Sequence, residues 1–317
     1  MSWQPSEGEA RERRREAGRR RQRRQRLLGV SALVVLLGAV LSVLVLATTG
    51  GPDPAATTTP VRPLAKREQP RTARLATPAP EPAAADAEPP GRPIPILMYH
   101  AVEAPPAGTA FPELWVPAAS FAAEMGALHR AGYHAITMAA ATAYWEGRRR
   151  VPRKPIVLTF DDGFRSQVEQ ALPVLKRLGW PGVLYLEVAS LHTPGSAGIS
   201  TAGVRALLRA GWELGAHTLT HPDLTTVGVD QLREEVAGSR RLLRRRFHVP
   251  VDAFCYPAGK YDDTVVAAVE HAGYRTATTV DPGLAGPRNR WRLPRVRVNG
   301  SDGADTLLAR LADAGAG

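Results

Sequence analysis

From Pro93 onward, short apolar runs rich in β-branched residues alternate with stretches whose apolar residues recur at helical spacing. The strand-like runs are 95–99, 135–138, 156–160, 183–188, 213–216, 253–256, 275–279 and 295–298. The helical patterns are 118–131, 164–178, 201–210, 230–247, 263–272 and 304–312. Strand followed by helix, repeated, predicts a parallel α/β architecture, because parallel neighbours need a crossover and an amphipathic helix supplies one. Six or seven such units lie within residues 93–317 with no second linker, so one (β/α) barrel fits better than two domains. A doubly wound open sheet satisfies the same alternation.

The chain ahead of this region divides into three. Residues 1–26 hold ten Arg and four Glu, and residues 27–47 are 21 residues without a charge. A helix of that length spans about 31 Å at 1.5 Å per residue, which matches a bilayer core of about 30 Å. The Arg-rich flank places the N-terminus in the cytoplasm and everything after residue 47 outside. Cleavage near Ala47 by a signal peptidase, giving a secreted protein, is the alternative. Residues 48–92 contain ten Pro and ten Ala with no apolar period, which predicts a disordered, partly polyproline linker. The expected organisation is therefore a cytoplasmic tail (1–26), a transmembrane signal anchor (27–47), a linker (48–92) and an outer domain (93–317).

The formal charge of +11 lies mostly in the tail, which carries +6, and the linker carries +1. Residues 93–317 keep only +4, too little to demand a nucleic-acid partner. The single Cys255 excludes an internal disulfide and a multi-thiolate zinc site, so any metal must be held by His, Asp or Glu.

Two segments carry chemistry. Ile156-Val157-Leu158-Thr159-Phe160-Asp161-Asp162-Gly163 is a strand ending in adjacent carboxylates. Active sites gather at that end of an α/β strand, and two neighbouring carboxylates need a cation or a proton to coexist. The plainer alternative is that Asp162 caps the following helix. The second segment, Leu214-Gly215-Ala216-His217-Thr218-Leu219-Thr220-His221-Pro222, places two imidazoles four residues apart after another strand. Asp162 with His217 and His221 would make a two-His, one-carboxylate set with open coordination positions. Ordinary packing is the alternative for the His pair.

Together these segments resemble the Thr-Phe-Asp-Asp-Gly and His-(Ser/Thr)-x-x-His motifs of the polysaccharide deacetylases of NodB-homology type, carbohydrate esterase family four. The resemblance covers residues 93 to about 300 and implies a distorted (β/α) barrel of NodB type. It implies Asp161 as catalytic base, and Asp162, His217 and His221 as ligands of one divalent metal ion, zinc first, with cobalt, nickel or iron as alternatives. No histidine occurs in 310–317, where the family's late acid motif would lie. Instead Pro95-Ile96-Leu97-Met98-Tyr99-His100 looks like the permuted branch that includes poly-N-acetylglucosamine deacetylases, with His100 as the acid. A strand-end histidine bonded to backbone is the alternative.

In Phe254-Cys255-Tyr256-Pro257-Ala258, the family pattern Arg-x-Pro-Tyr is broken, since Cys255 stands where the Arg would be. The Ala258 N–H remains the candidate oxyanion donor, with Tyr256 and Pro257 beside the substrate. Arg295 on a late strand is the expected replacement partner for Asp161. Of Trp115, Trp145, Trp180, Trp212 and Trp291, Trp291 is the expected sugar platform, whereas Trp212 and Trp180 read as core. The Arg148-Arg149-Arg150 and Arg244-Arg245-Arg246 runs read as solvated faces. The expected function is metal-dependent removal of N-acetyl groups from an N-acetylglucosamine-containing extracellular or cell-wall polysaccharide. Alternatives are an O-acetyl esterase acting on xylan-like chains and a non-catalytic glycan-binding domain. The expected partners are an N-acetylated polysaccharide and, through residues 27–47, a lipid bilayer, with no nucleic acid.

Overall fold

The computed structural model describes residues 81–191 and 197–316. The tail, the 27–47 run and most of the linker lie outside the described residues. Among those described, no helix is long and apolar enough to cross a membrane.

Eight strands run through the described part: β1 (Ile96–Tyr99), β2 (His134–Ala135), β3 (Pro155–Phe160), β4 (Val183–Leu186), β5 (Glu213–Ala216), β6 (Ala253–Cys255), β7 (Thr276–Pro282) and β8 (Leu293–Arg297). Their order is β1-β8-β7-β6-β5-β4-β3, and β3 pairs with β1 again, so seven parallel strands close a ring. Closure rests on Met98↔Arg297 on one edge of β1 and on Tyr99↔Phe160 on the other. The two-residue β2 lies outside the ring, on the start of β3. This is the parallel barrel of NodB type that the motifs imply.

The sequence reads as unbroken apolar runs because both faces of each strand are covered. Alternate residues point inward. Ile96, Val157, Val183, Tyr185, Ala253, Cys255 and Leu293 form one buried cluster with Met138, Ala141 and Tyr144. The last three belong to helix α1 (Met138–Trp145), which closes the end of the barrel where the strands begin. The opposite parity, including Leu97, Tyr99, Leu158, Phe160, Leu184 and Phe254, packs under the outer helices. There Phe160 lies between Tyr99 and Trp212, at centroid distances of 5.5 and 4.7 Å. Each such ring contributes about 1.5–3 kcal/mol by leaving water.

Three local expectations change. Residues 135–138 read as a strand, yet the Thr137 side chain accepts the Ala140 N–H and starts α1. An N-cap followed by an Ala-rich run favours a helix over two more residues of sheet. The helical patterns at 164–178 and 230–247 are each interrupted by a π turn, at Gln167–Ala171 and Glu234–Gly238. Residues 81–92, assigned to the linker, pack on the barrel base. Ala87 bridges Pro152, the Glu88 N–H donates to Val151 O, and the Arg92 N–H donates to the Tyr144 hydroxyl.

Candidate active site

Strand parity decides which side chains meet. His100 follows β1 with the inward parity of Ile96 and Met98, and Asp161 follows β3 with that of Val157 and Thr159. His217 after β5, Cys255 on β6 and Arg295 on β8 share it. All five therefore converge inside the mouth where the strands end, the usual location of barrel active sites.

Asp161 is 2% exposed and Arg295 1%. The guanidinium donates to both carboxylate oxygens, Nη1 to Oδ1 at 2.9 Å and Nη2 to Oδ2 at 2.8 Å. Its remaining donors go to Thr279 O at 2.7 Å, Thr159 Oγ1 at 3.1 Å and Cys255 Sγ at 3.2 Å. The Cys255 thiol in turn donates to Asp161 Oδ2 at 3.5 Å. The structure thus seats Arg295 against Asp161, with the small Cys255 leaving room for it. Burial alone would raise the Asp161 pKa, but the Arg295 charge and its two hydrogen bonds outweigh that and hold the carboxyl well below the usual carboxylate range. His100 Nε2 stands 3.8 Å from Asp161 Oδ2. Burial lowers the His100 pKa, against the pull of the Asp161 and Asp162 carboxylates.

The second cluster lies beside the first. Asp162 Oδ1 is 3.4 Å from His217 Nε2 and 3.7 Å from His221 Nε2. Ligands at roughly 2.0–2.1 Å from a tetrahedral ion sit about 3.3 Å apart, so the donor spacing fits a divalent cation. His217 Nδ1 is 2.8 Å from Cys255 O, and since a carbonyl only accepts, Nδ1 is the donor there and Nε2 is the nitrogen left to face the cluster. Among the described residues one other trio, Asp161, His217 and Cys255, has donor atoms as close together. There Arg295 already occupies both Asp161 and Cys255, so that trio does not fit a metal.

Local backbone strain aims these groups. Among the described residues six non-glycine residues have positive φ, and four of them, Asp162 (+69°), Thr218 (+68°), His221 (+55°) and Ala258 (+50°), lie in the mouth loops. Such conformations cost energy and persist where surrounding contacts enforce them. Gly163, at φ +91°, has no room for a side chain, since a Cβ would stand 2.5 Å from Leu186 Cδ1. The His217–His221 loop is held by buried Glu235, whose Oε2 accepts the Leu219 N–H at 2.8 Å and the Thr220 N–H at 3.0 Å. Glu235 and the buried Gln167 and Ser166 carried no signal in the sequence, because their partners lie on other strands and loops.

The remaining expected residues fall differently. Ala258 is exposed in the turn Pro257–Gly259. Its N–H has no partner among the described residues, while the next two N–H groups bond Tyr256 O and Pro257 O. Tyr256 is 1% exposed and points to the helix side, one residue out of phase with inward Cys255. Its hydroxyl donates to Trp291 O at 2.9 Å, and Pro257 is buried, so neither side chain presents a surface to substrate. Trp291 precedes β8 and packs, partly buried, against the outer core. An open groove of about 370 Å³ lies beside the Asp162–His217–His221 cluster, lined by Asp162, Gly163, Phe164, Glu187, Ser190 and His221 among others. Its aromatic wall is Phe164, with Trp115 edge-on at 5.2 Å. Trp180 and Trp212 are buried, as expected for core.

A parallel barrel with a paired carboxylate and an imidazole–carboxylate cluster at its mouth holds groups that can bind a cation and take up a proton. The family model described as polysaccharide deacetylase matches residues 148–277, a stretch that contains Asp161, Asp162, His217 and His221 but neither His100 nor Arg295. A Bacillus subtilis (strain 168) protein named as a polysaccharide deacetylase is 30% identical over 207 residues, covering 65% of this chain and 71% of that one. The Escherichia coli (strain K12) poly-β-1,6-N-acetyl-D-glucosamine N-deacetylase is 24% identical over 212 residues, 54% of this chain and 32% of that one. The Streptococcus pyogenes deacetylase PplD, solved with acetate, shares the fold with a TM-score of 0.65 at 24% identity, over 69% of this chain and 98% of that one. The chain belongs to the polysaccharide deacetylase family.

Proposed function

We propose that this protein removes N-acetyl groups from an N-acetylglucosamine-containing polymer outside the cell, peptidoglycan or an exopolysaccharide, with one divalent ion held by Asp162, His217 and His221. The observation that carries the reading is the juxtaposition of that trio with the Arg295-bound Asp161 and with His100. The similarity to an N-acetylglucosamine-polymer deacetylase supports the substrate class.

The ion, zinc first by its N,N,O donor set, would supply Lewis-acid polarisation of the acetamide carbonyl and acidify water. Asp161, kept ionised by Arg295, accepts the proton of the attacking water. The Ala258 N–H donates to the oxyanion that develops on the carbonyl oxygen. His100 in its protonated form delivers a proton to the departing nitrogen, so that C–N cleavage releases a neutral amine rather than an amine anion. Phe164 and Trp115 offer an apolar wall for a sugar ring along the groove.

The uncharged 27–47 run and the Pro-rich stretch after it support an anchored protein whose domain reaches a polymer above the lipid. Acetate release from N-acetylglucosamine oligomers and from peptidoglycan, with and without chelator, tests the reading. Wild type should release acetate only with metal present, and Asp161→Asn should abolish release. Acetate from acetylated xylose oligomers with none from the amino-sugar would favour an O-acetyl esterase. Stoichiometric glycan binding without acetate release would make the domain a non-catalytic binder.

A further inference from the structure

Gln167 is a side-chain amide with no exposed surface, at the first position of the π turn Gln167–Ala171. Buried amides need partners, and those of Gln167 are specific. Its Nε2 donates to Asp161 O at 2.7 Å and to His100 O at 3.0 Å. Its Oε1 is buried with no partner among the described residues, so the side chain serves the site through its two donors. The preceding Ser166, 3% exposed, accepts the Val102 N–H at 3.1 Å. One turn of chain after Asp161-Asp162-Gly163 thereby grips the exit of β1 at two points.

The ladder between β1 and β3 makes this grip necessary. Its last rung is the Asp161 N–H donating to Tyr99 O, and beyond it no backbone bond joins the two chains. His100 and Asp161 lie at that end. Asp161 has independent restraint, because Arg295 holds both of its carboxylate oxygens. The His100 ring has no hydrogen-bond partner among the described residues, only the 3.8 Å approach to Asp161. Its place over the reacting bond depends on where its backbone is held.

We propose that Gln167 is a positioning residue that fixes the His100 main chain relative to Asp161 and so sets the aim of the proton donor. This rests on the reading of His100 as acid and Asp161 as base. It has a chemical signature. In acetamide hydrolysis water adds to the carbonyl, the C–N bond breaks and nitrogen must receive a proton as it leaves. An aryl acetate loses a stabilised phenolate and needs no such proton. Displacing His100 therefore penalises the amide and spares the aryl ester, whereas general loosening of the barrel penalises both.

The test uses the full chain carrying Gln167→Met, which keeps the length and removes the donors, and Ser166→Ala, which cuts only the Val102 contact and serves if the first variant folds poorly. The measurements are kcat and KM for an N-acetylglucosamine oligomer and for 4-nitrophenyl acetate, with zinc affinity as the check on the Asp162–His217–His221 cluster. Gln167→Met should lower kcat on the oligomer about ten- to hundredfold, the cost of misplacing a reacting group by about 1 Å. KM, zinc affinity and aryl ester turnover should stay within about threefold, and Ser166→Ala should shift the same ratio in the same direction by less. Equal losses on both substrates, or unchanged kcat on the oligomer, would overturn the proposal while leaving the deacetylase reading intact. A wild-type protein that cleaves neither substrate would remove the acid and base assignment, and the proposal with it.

Discussion

Replacing Arg295 by alanine removes five hydrogen bonds, two of them to the Asp161 carboxylate. Breaking a buried pair from one side costs about 3–5 kcal/mol, since the charge left behind stays desolvated. At about 2–4 °C per kcal/mol for a domain of this size, the melting temperature should fall by roughly 6–20 °C. The sign of the pH effect follows from linkage. The folded Asp161 pKa lies below its unfolded value, so the pair stabilises the fold at neutral pH and loses that contribution only as pH falls through the folded pKa. In Arg295→Ala, burial is opposed only by the neighbouring His100 and His217 imidazoles and the Cys255 thiol, so the carboxyl moves upward. The acidic limb of kcat/KM for acetate release should therefore shift to higher pH, and turnover at pH 7 should fall by about 10²–10⁴, the usual worth of a general base. Arg295→Lys restores charge without the two-pronged geometry and should land between the two. Scanning calorimetry and a pH series of acetate release check both halves. An Arg295→Ala protein with an unmoved acidic limb and turnover within twofold of wild type would refute the assignment of Arg295 as the group that keeps Asp161 ionised.

Two further outcomes are expected. Glu235→Ala frees the Leu219 and Thr220 N–H groups that hold the His217–His221 loop, so zinc affinity measured by competition titration should weaken about 10–100-fold, and unchanged affinity would mean the loop holds itself. Burial pushes Glu124 up to about 7, so the folded chain binds a proton more tightly than the unfolded chain between an ordinary 4.5 and that value, and stability falls as pH rises through this window. Glu124→Gln, which can still accept from the Tyr99 hydroxyl, should raise the melting temperature at pH 8 and leave it nearly unchanged at pH 5. A loss of stability at both would show that the carboxylate form is the favoured one.

Much of the architecture was legible because it is written in local periodicity. Short unbroken apolar runs and helical spacing located seven of the eight strands within a few residues, and motif spacing brought Asp161, Asp162, His217 and His221 forward as a set. The misplaced features turn on distance and phase. The Ala-rich segment at Met138–Trp145 lacks a clear amphipathic stripe because it plugs the barrel and is covered widely. Tyr256 stands beside the substrate by its motif, yet one residue of strand phase turns its side chain to the helix side, and Trp291 packs partly buried against the outer core. Gln167 and Glu235 gave no signal, since each acts on backbone groups of other segments and any polar residue would look the same in a string.

Sequence alone determined the element order, the parallel topology and the identity of the chemical groups, because propensity and side-chain chemistry belong to each residue where it stands. Only the closed ring decided which groups meet. Barrel closure brings β8 beside β1 and β1 beside β3, inward parity turns His100, Asp161, Cys255 and Arg295 toward one axis, and a guanidinium 134 residues away in the chain comes to rest 2.8 Å from the carboxylate it governs.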